Sequence, residues 1–506
     1  MPLDISRPDL SLAVIGTGVM GRGIAQIAAQ AGIRVLLHDS RPGAAREAKD
    51  SVSAQLARLA EKGRLDREAV ERAEANLVLL DSLQPLSSCP IVIEAVAENL
   101  EIKRELFRSL EEIVSADCLM ASNTSSFSIT AIAAACKRPE RIAGFHFFNP
   151  VPLMKVVEVV DGLSTAPWVG EALAALALRC GHKPVRAKDT PGFIVNHAGR
   201  GYGTEALRIL GEGVAEFHEI DRILRDCAGF RLGPFELLDL TGLDVSHPVM
   251  ESIYRQYYEE PRYRPSPIAA QRVAAGLFGR KSGSGFYRHE NGKQEAIPEL
   301  PAPSARPASV WVSRQGLAAK LTELLRGLGA HIDRGARPAT QSLCLVAPLG
   351  DDATTTALEE ELDPARTLAV DCLFPFEKRR TLMATPVTTP EMRAAAHGLL
   401  SGDGVPVTVI HDSPGFVAQR VIAQIVNIAS DIAQQRIASP ADIDSAVTLG
   451  LGYPQGPLAW GDAIGPGTVL DILEALHEFY GDPRYRPSPW LKRRARLGVS
   501  LLTLES

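Results

Sequence analysis

Hydrophobic and polar positions alternate in blocks along the first 150 residues. A short apolar run, residues 12–15, feeds directly into Gly16-Thr17-Gly18-Val19-Met20-Gly21. Residues 22–31 then carry the apolar spacing of a helix, and a second run at 34–38 ends in Asp39. Strand, glycine turn, helix, strand and terminal acid form a dinucleotide cradle. Gly16 permits the tight turn, Gly18 lets backbone approach a pyrophosphate, and Gly21 lets the helix pack on the strand. The helix N-terminus then faces the phosphate charge. Further along, 90–96 reads as a buried parallel strand, 102–114 as a helix, and 118–121 and 141–145 as short strands with polar ends. Between 42 and 76 lies a charged insertion of about 35 residues with helical spacing, too long for a plain connection.

Beyond Pro191-Gly192-Phe193 the periodicity becomes helical up to Tyr287 and then gives way to a stretch carrying Pro298, Pro301, Pro303 and Pro307. After it the chain repeats itself. The heptapeptide at 261–267 recurs unchanged at 483–489, and at an offset of 223 residues Phe193 matches Phe416, Asp221 matches Asp444, and Asp239 matches Asp462. This is a tandem duplication. Its organisation reads as a doubly wound Rossmann-like α/β domain (1–190), an all-α domain (191–288), a proline-rich linker (289–308), a degenerate Rossmann-like copy (309–411) and a second helical copy (412–506). In the degenerate copy Ser313, Gln315 and Ala318 stand at the cradle positions, and 342–346 follows the second strand almost at once. A side chain at Gln315 blocks a pyrophosphate, so this copy is expected to be a shell without cofactor. A site rebuilt for a different nucleotide is the alternative.

Composition narrows the setting. The 506 residues are 45% hydrophobic and 23% charged, with a net charge of −6 that gives no reason to expect nucleic-acid binding. No apolar stretch is long enough to span a bilayer. Residues 1–11 lack the apolar core of a secretory signal. Seven scattered cysteines without a CxxC pair fit reduced thiols, leave no metal site in view, and point to the cytoplasm.

Polar strand ends gather the candidate chemistry: Ser122-Asn123-Thr124-Ser125-Ser126, His146-Phe147-Phe148-Asn149-Pro150, Glu158 twelve residues after the histidine, and Asn196. Taken singly these are ordinary caps, turns and core residues. Beside a nucleotide site they suit hydride transfer from an alcohol, which needs an imidazole base, a carboxylate to orient it, and donors for the developing oxyanion.

These motifs, with Glu94-Ala95-Val96-Ala97-Glu98, Leu232-Gly233-Pro234-Phe235-Glu236 and Lys281-Ser282-Gly283-Ser284-Gly285-Phe286-Tyr287, resemble the L-3-hydroxyacyl-CoA dehydrogenase family over residues 11 to 288. The resemblance implies His146 as catalytic base, Glu158 as its partner, and Ser125 and Asn196 at the reacting oxygen. It implies NAD held by Gly16, Gly18, Val19, Met20, Gly21, Asp39, Glu98, Lys103, Ser125, Asn149 and Lys281. Asp39 favours NAD over NADP, with Arg41 close by as the opposing consideration. The inserted hairpin would meet coenzyme A through Lys62. The implied activity is NAD-dependent oxidation of a (S)-3-hydroxyacyl-CoA. Duplicated members of this length resemble enzymes acting on 3-hydroxyadipyl-CoA in phenylacetate and related aromatic-acid breakdown. 3-Hydroxybutyryl-CoA is the alternative substrate, and a non-catalytic nucleotide-binding protein the remote one. Arg200 or Arg208 could meet a dicarboxylic acyl tail. Single-copy members dimerise through their helical domains, so the second copy is expected to supply an internal pseudo-dimer partner, with further homo-oligomers possible. In that copy Asp371 or Cys372 falls at the His146 position, Met383 near that of Glu158, and Gln419 at that of Asn196, so one working site is expected.

Overall fold

A computed structural model describes residues 3–505. From the N-terminus it runs β1 (Ser11–Ile15), α1 (Val19–Gln30), β2 (Arg34–His38), α2 (Ala44–Glu61), α3 (Arg67–Ala75), β3 (Leu77–Leu79), β4 (Ile91–Glu94), α4 (Leu100–Ile113), β5 (Leu119–Ser122), α5 (Ile129–Ala133), β6 (Ile142–Phe147), β7 (Val156–Asp161), α6 (Pro167–Arg179), β8 (Lys183–Lys188) and α7 (Val195–Ala198). The helices α8 (Arg200–Gly211), α9 (Phe217–Asp226), α10 (Pro234–Thr241), α11 (Leu243–Gln256) and α12 (Pro267–Ala274) follow, then a small hairpin of β9 (His289–Glu290) and β10 (Lys293–Gln294). The repeat contains β11 (Val310–Val312), α13 (Ala318–Gly327), β12 (Ile332–Asp333), β13 (Leu343–Val346), α14 (Ala353–Glu359), β14 (Thr367–Val370), β15 (Arg380–Ala384), α15 (Pro390–Leu400) and β16 (Val407–Ile410). It closes with α16 (Ala418–Gln434), α17 (Pro440–Leu451), α18 (Pro457–Ile464), α19 (Pro466–Tyr480) and α20 (Pro489–Leu497).

The chain forms two compact units. One holds residues up to His197 together with Gln435–Leu451, and the other holds Ala198–Gln434 and the remainder from Gly452. The first is built on an eight-stranded sheet in the order β3-β2-β1-β4-β5-β6-β7-β8. Its strands are parallel except across β6 and β7. Burial on both faces makes β4, β5 and β6 continuous apolar runs. The insertion after β2 is the α2–α3 hairpin, with Asp66 capping α3 by accepting from the Ala69 amide. Asn99 caps α4 in the same way.

The second unit contains a six-stranded sheet, β12-β11-β13-β14-β15-β16, with β14 and β15 antiparallel. More is missing from this copy than the inserted hairpin. It also lacks the edge strand β3, one further central strand and the long helix α4, so β13 bridges directly from β11 to β14. The short helix after β13 still docks as α5 does: Asp412 accepts from the Ala353 and Thr354 amides where Asp189 accepts from those of Ile129 and Thr130. A second departure concerns α17. It lies within the 412–506 helical copy by sequence, yet it packs on β7 and β8 of the first sheet. The proline-rich stretch is strapped down inside the second unit, where Glu299 pairs with Arg379 and the Ile297 carbonyl accepts from Arg222.

Candidate active site

The glycine turn between β1 and α1 is shaped by contact. A Cβ on Gly16 (φ +92°) would lie 2.5 Å from the Ala95 carbonyl oxygen, and one on Gly21 would lie 1.9 Å from that of Gly16. A Cβ on Gly18 would meet nothing within 4 Å, so the space over α1's first turn stays open for a ligand. Gly18 is also the N-cap residue and leaves that turn without a side-chain partner. These features fit a pyrophosphate on the helix N-terminus. Asp39 Oδ2 accepts from the Thr17 amide (2.7 Å) and hydroxyl (2.8 Å). Burial works to raise the Asp39 pKa, but the bonds from Thr17 and Arg41 hold it below the usual carboxylate value. Arg41 is turned into a bidentate pair with Glu47. Arg41 is thus not a free guanidinium beside Asp39.

Glu98 organises the next wall. Its Oε1 accepts from the Thr124 hydroxyl (2.6 Å), the Ser125 and Ser126 amides (3.0 and 3.1 Å) and the Ser126 hydroxyl (2.8 Å). The Ser125 hydroxyl is 3.5 Å away and only half-buried. Burial opposes ionisation of Glu98, while Lys103 and these donors outweigh it and lower its pKa. The Lys103 ammonium is buried between Glu94 (2.6 Å) and Glu98 (3.2 Å), because a cation that far from water needs both carboxylates. Sequence alone gave Glu94 no part; here it receives Lys103, the Ser122 hydroxyl and the Val96 amide.

His146 and Glu158 stand directly opposite one another on the antiparallel pair β6 and β7, with Nδ1 2.6 Å from Oε2 and both side chains buried. A carboxylate only accepts, so Nδ1 carries the hydrogen and Nε2 is left with its lone pair. Phe148 and Phe193 meet the imidazole edge-on, with ring centroids at 4.5 and 5.7 Å. The other oxygen of Glu158 accepts from the Ile194 and Val195 amides, both at 2.8 Å. One carboxylate thus fixes the imidazole and ties down the turn that leads into Asn196. That second task had no local signal, since it joins residues 36 and 37 apart. The Asn123 side chain accepts from the Phe147 amide and holds the end of β6 beside the Ser125 loop. Asn149 is exposed and precedes a cis Pro150.

Val19 is exposed and Met20 half-buried on the first turn of α1. Lys62 ends α2 and lines a cavity of about 390 Å³ with Ser51, Gln55, Arg58 and Leu59. Lys281 belongs to the second unit, where it pairs with Asp244. Arg208 is not free for an acyl carboxylate: it pairs with Glu212 and Asp482 and lies over the rings of Tyr480 and Tyr485. Arg200 is lowered to about 10 by burial.

The repeat has lost this chemistry. The register of β14 and β15 sets Asp371 opposite Thr381. Thr381, not Met383, therefore holds the Glu158 position; Met383 is two residues further along, opposite Ala369. Asp371 accepts from the Gln419 side chain at 2.9 Å, and Gln419 in turn accepts from the Gly350 amide. At the corresponding turn of the repeat the Ser313 hydroxyl donates to Glu360 and accepts from the Gln315 amide. Both Asp333 oxygens are occupied by Gly335, Ala339 and Ser342 of its own loop.

Comparison with known proteins agrees with this geometry. The family model described as 3-hydroxyacyl-CoA dehydrogenase, NAD binding domain, matches residues 11–190. The model of the C-terminal domain of the same family matches twice, at 192–289 and 415–500. The 3-hydroxyadipyl-CoA dehydrogenase of Escherichia coli K12 is 40% identical over 487 residues, covering 96% of this chain and 98% of that protein. A probable 3-hydroxybutyryl-CoA dehydrogenase of Deinococcus radiodurans is 40% identical over 280 residues, 55% of this chain and all of its own length. The crystal structure of an Escherichia coli 3-hydroxybutyryl-CoA dehydrogenase superimposes with a TM-score of 0.86 at 39% identity, covering 97% of this chain and 98% of that one. With a cradle shaped for NAD, a buried imidazole–carboxylate pair and similarity across nearly the whole length, the chain belongs to the 3-hydroxyacyl-CoA dehydrogenase family of NAD-dependent oxidoreductases.

Proposed function

We propose that the chain oxidises the C3 hydroxyl of 3-hydroxyadipyl-CoA through a single site in its first unit. The observation that carries the site is the His146–Glu158 pair at the end of β6, 2.6 Å apart and buried, on the sheet that bears the open glycine cradle. NAD, when bound, supplies the hydride acceptor. His146 Nε2 takes the hydroxyl proton, and Glu158 stabilises the imidazolium that results. Ser125 and Asn196 donate to the oxygen as charge develops on it. Glu98 sets the Ser125 loop, and Lys103 acts on that loop by keeping Glu98 ionised. Gly16, Gly18, Val19, Met20, Gly21, Asp39 and Asn149 complete the first unit's part of the NAD site, and Lys62 would meet the coenzyme A phosphates.

The adipyl chain is favoured because the relative that carries this name matches nearly end to end, duplication included. A 3-hydroxybutyryl substrate is the second reading, since the solved structure that aligns over 97% of the chain bears that name. Comparing kcat/KM for the two thioesters in one preparation decides: the first reading expects the adipyl compound to be preferred, and a preference for the butyryl compound overturns it.

The two helical copies form an internal pseudo-dimer in this reading. Support comes from α8 packing on α16, where buried Arg420 pairs with buried Glu205 and with Glu212. The seven cysteines are all unpaired thiols, which supports a cytoplasmic setting. Among the described residues no helix is long and apolar enough to cross a membrane.

A further inference from the structure

The second copy carries no catalytic set of its own, yet part of it is built into the first unit. The Ile437 carbonyl accepts from the Lys188 amide at 2.8 Å, extending the end of β8 just before the turn that leads to Asn196. At the far end of α17, Gly450 lies against that same turn. A Cβ built on it would come 3.0 Å from Val195 Cγ2 and 3.5 Å from Val156 Cγ1. Val195 is the residue whose amide donates to Glu158, and Val156 begins the strand that carries Glu158. Phe193 in this turn holds a left-handed φ of +48°, a conformation that persists only where its surroundings fix it.

The duplication provides an internal comparison. At the offset of 223, α17 corresponds to α9, and the bond from Lys188 to Ile437 recurs as one from His411 to the Val214 carbonyl (2.9 Å). The clamp is therefore repeated in both copies. Gly450, however, corresponds to Cys227, whose thiol sits 3.5 Å from the Arg379 carbonyl, the counterpart of Val156. Beside the strand that lost its glutamate the helix carries a side chain. Beside the strand that kept it, the helix carries none.

We propose that the catalytically degenerate second copy is a positioning part of the first copy's active site, with Gly450 of α17 setting the Val195–Asn196 turn against Glu158. This rests on Glu158 and Asn196 acting as described above. Added bulk at 450 pushes Val195, and with it Asn196 and the amide that Glu158 accepts. Sub-ångström displacement of reacting groups lowers turnover while leaving the NAD cradle intact.

The test uses the full chain, following acetoacetyl-CoA reduction by NADH. Gly450→Ala should lower kcat a few-fold and Gly450→Val by about tenfold to a hundredfold, with NADH affinity by fluorescence titration unchanged. Removing the methyls that the new Cβ meets should relieve the first defect: Gly450→Ala should cost little in a Val195→Ala background. Leu449→Ala, on the exposed face of α17, and Cys227→Val, at the corresponding place in α9, should retain wild-type kcat. Wild-type kcat in both Gly450 variants overturns the proposal. So does an Ala defect of equal size with and without Val195, or a loss that follows NADH affinity instead of kcat. If His146→Ala kept its turnover, the site reading itself would fail, whereas inert Gly450 variants defeat only this inference.

Discussion

His146 and Asp371 occupy the same place in two sheets of common ancestry, and almost everything around them differs. In the first copy the residue opposite is Glu158; in the second it is Thr381, which carries no charge to balance an imidazolium. In the first copy the glycine turn leaves an open helix N-terminus; in the second Ser313 stands at that turn and donates to Glu360. Losing β3, one central strand and α4 also removed the counterparts of Glu94, Glu98 and Lys103 from the second copy. Without that buried charge cluster there is nothing to organise a Ser125-like loop. What the second copy kept is its packing surface: the Asp412 dock, the left-handed Phe416 and the clamp onto β16. Once released from chemistry, a copy can lose the buried charge cluster that served its site and still keep the contacts that hold the pair together.

The largest way to break this contrast is at the histidine. His146→Ala should lower kcat by about 10²–10⁴-fold with NADH binding retained, while Asp371→Ala should leave steady-state turnover unchanged. Glu158→Gln should cost about 10³-fold, since an amide donating to Nδ1 would move the imidazole hydrogen to Nε2. Residual turnover of that variant near wild type would show that the tautomer argument is wrong. A smaller effect belongs to the cradle. Gly18→Val projects into open space, so NADH affinity should weaken about tenfold or more with an unchanged Tm. Gln315→Gly should not create a second site, because Ser313 and Ala318 still stand at the other two glycine positions.

The smallest effect is a pH-dependent one in the silent copy. Burial raises the Asp371 pKa from 3.8 to about 6, despite the bond from Gln419. A carboxyl group with a raised folded-state pKa binds protons more readily folded than unfolded, so its ionisation destabilises the fold above pH 6. That cost shrinks as pH falls from 6 and is gone near 3.8. Asp371→Asn should therefore stabilise the protein by about 1–3 kcal/mol above pH 6, with the gain fading toward pH 4. A Tm difference that is flat with pH would show that folding does not shift the Asp371 pKa.

Much of the working half is legible in the chain. The cradle is local, so its glycines and Asp39 can be read in order, and the twelve-residue spacing of His146 and Glu158 is that of an antiparallel pair closing on itself. Other features depend on tertiary contacts that no local pattern encodes. The two carboxylates that hold the Lys103 ammonium, Glu94 and Glu98, meet it only in the folded chain. The second oxygen of Glu158 serves a turn formed after β8. Met383 looks like the partner position only because two residues separate the simple offset from the true register at Asp371, whereas Thr381 follows that offset unbroken. The placement of α17 on the first sheet is invisible to composition and periodicity alike, since both describe only its own amphipathic face.

One working half implies one cofactor site per chain. The most direct measurement is the stoichiometry of NADH binding to the full chain by fluorescence or calorimetric titration. One equivalent per chain is expected, abolished or strongly weakened by Gly18→Val and untouched by Gln315→Ala. Two equivalents of comparable affinity, or a single one that responds to Gln315 instead of Gly18, would contradict it.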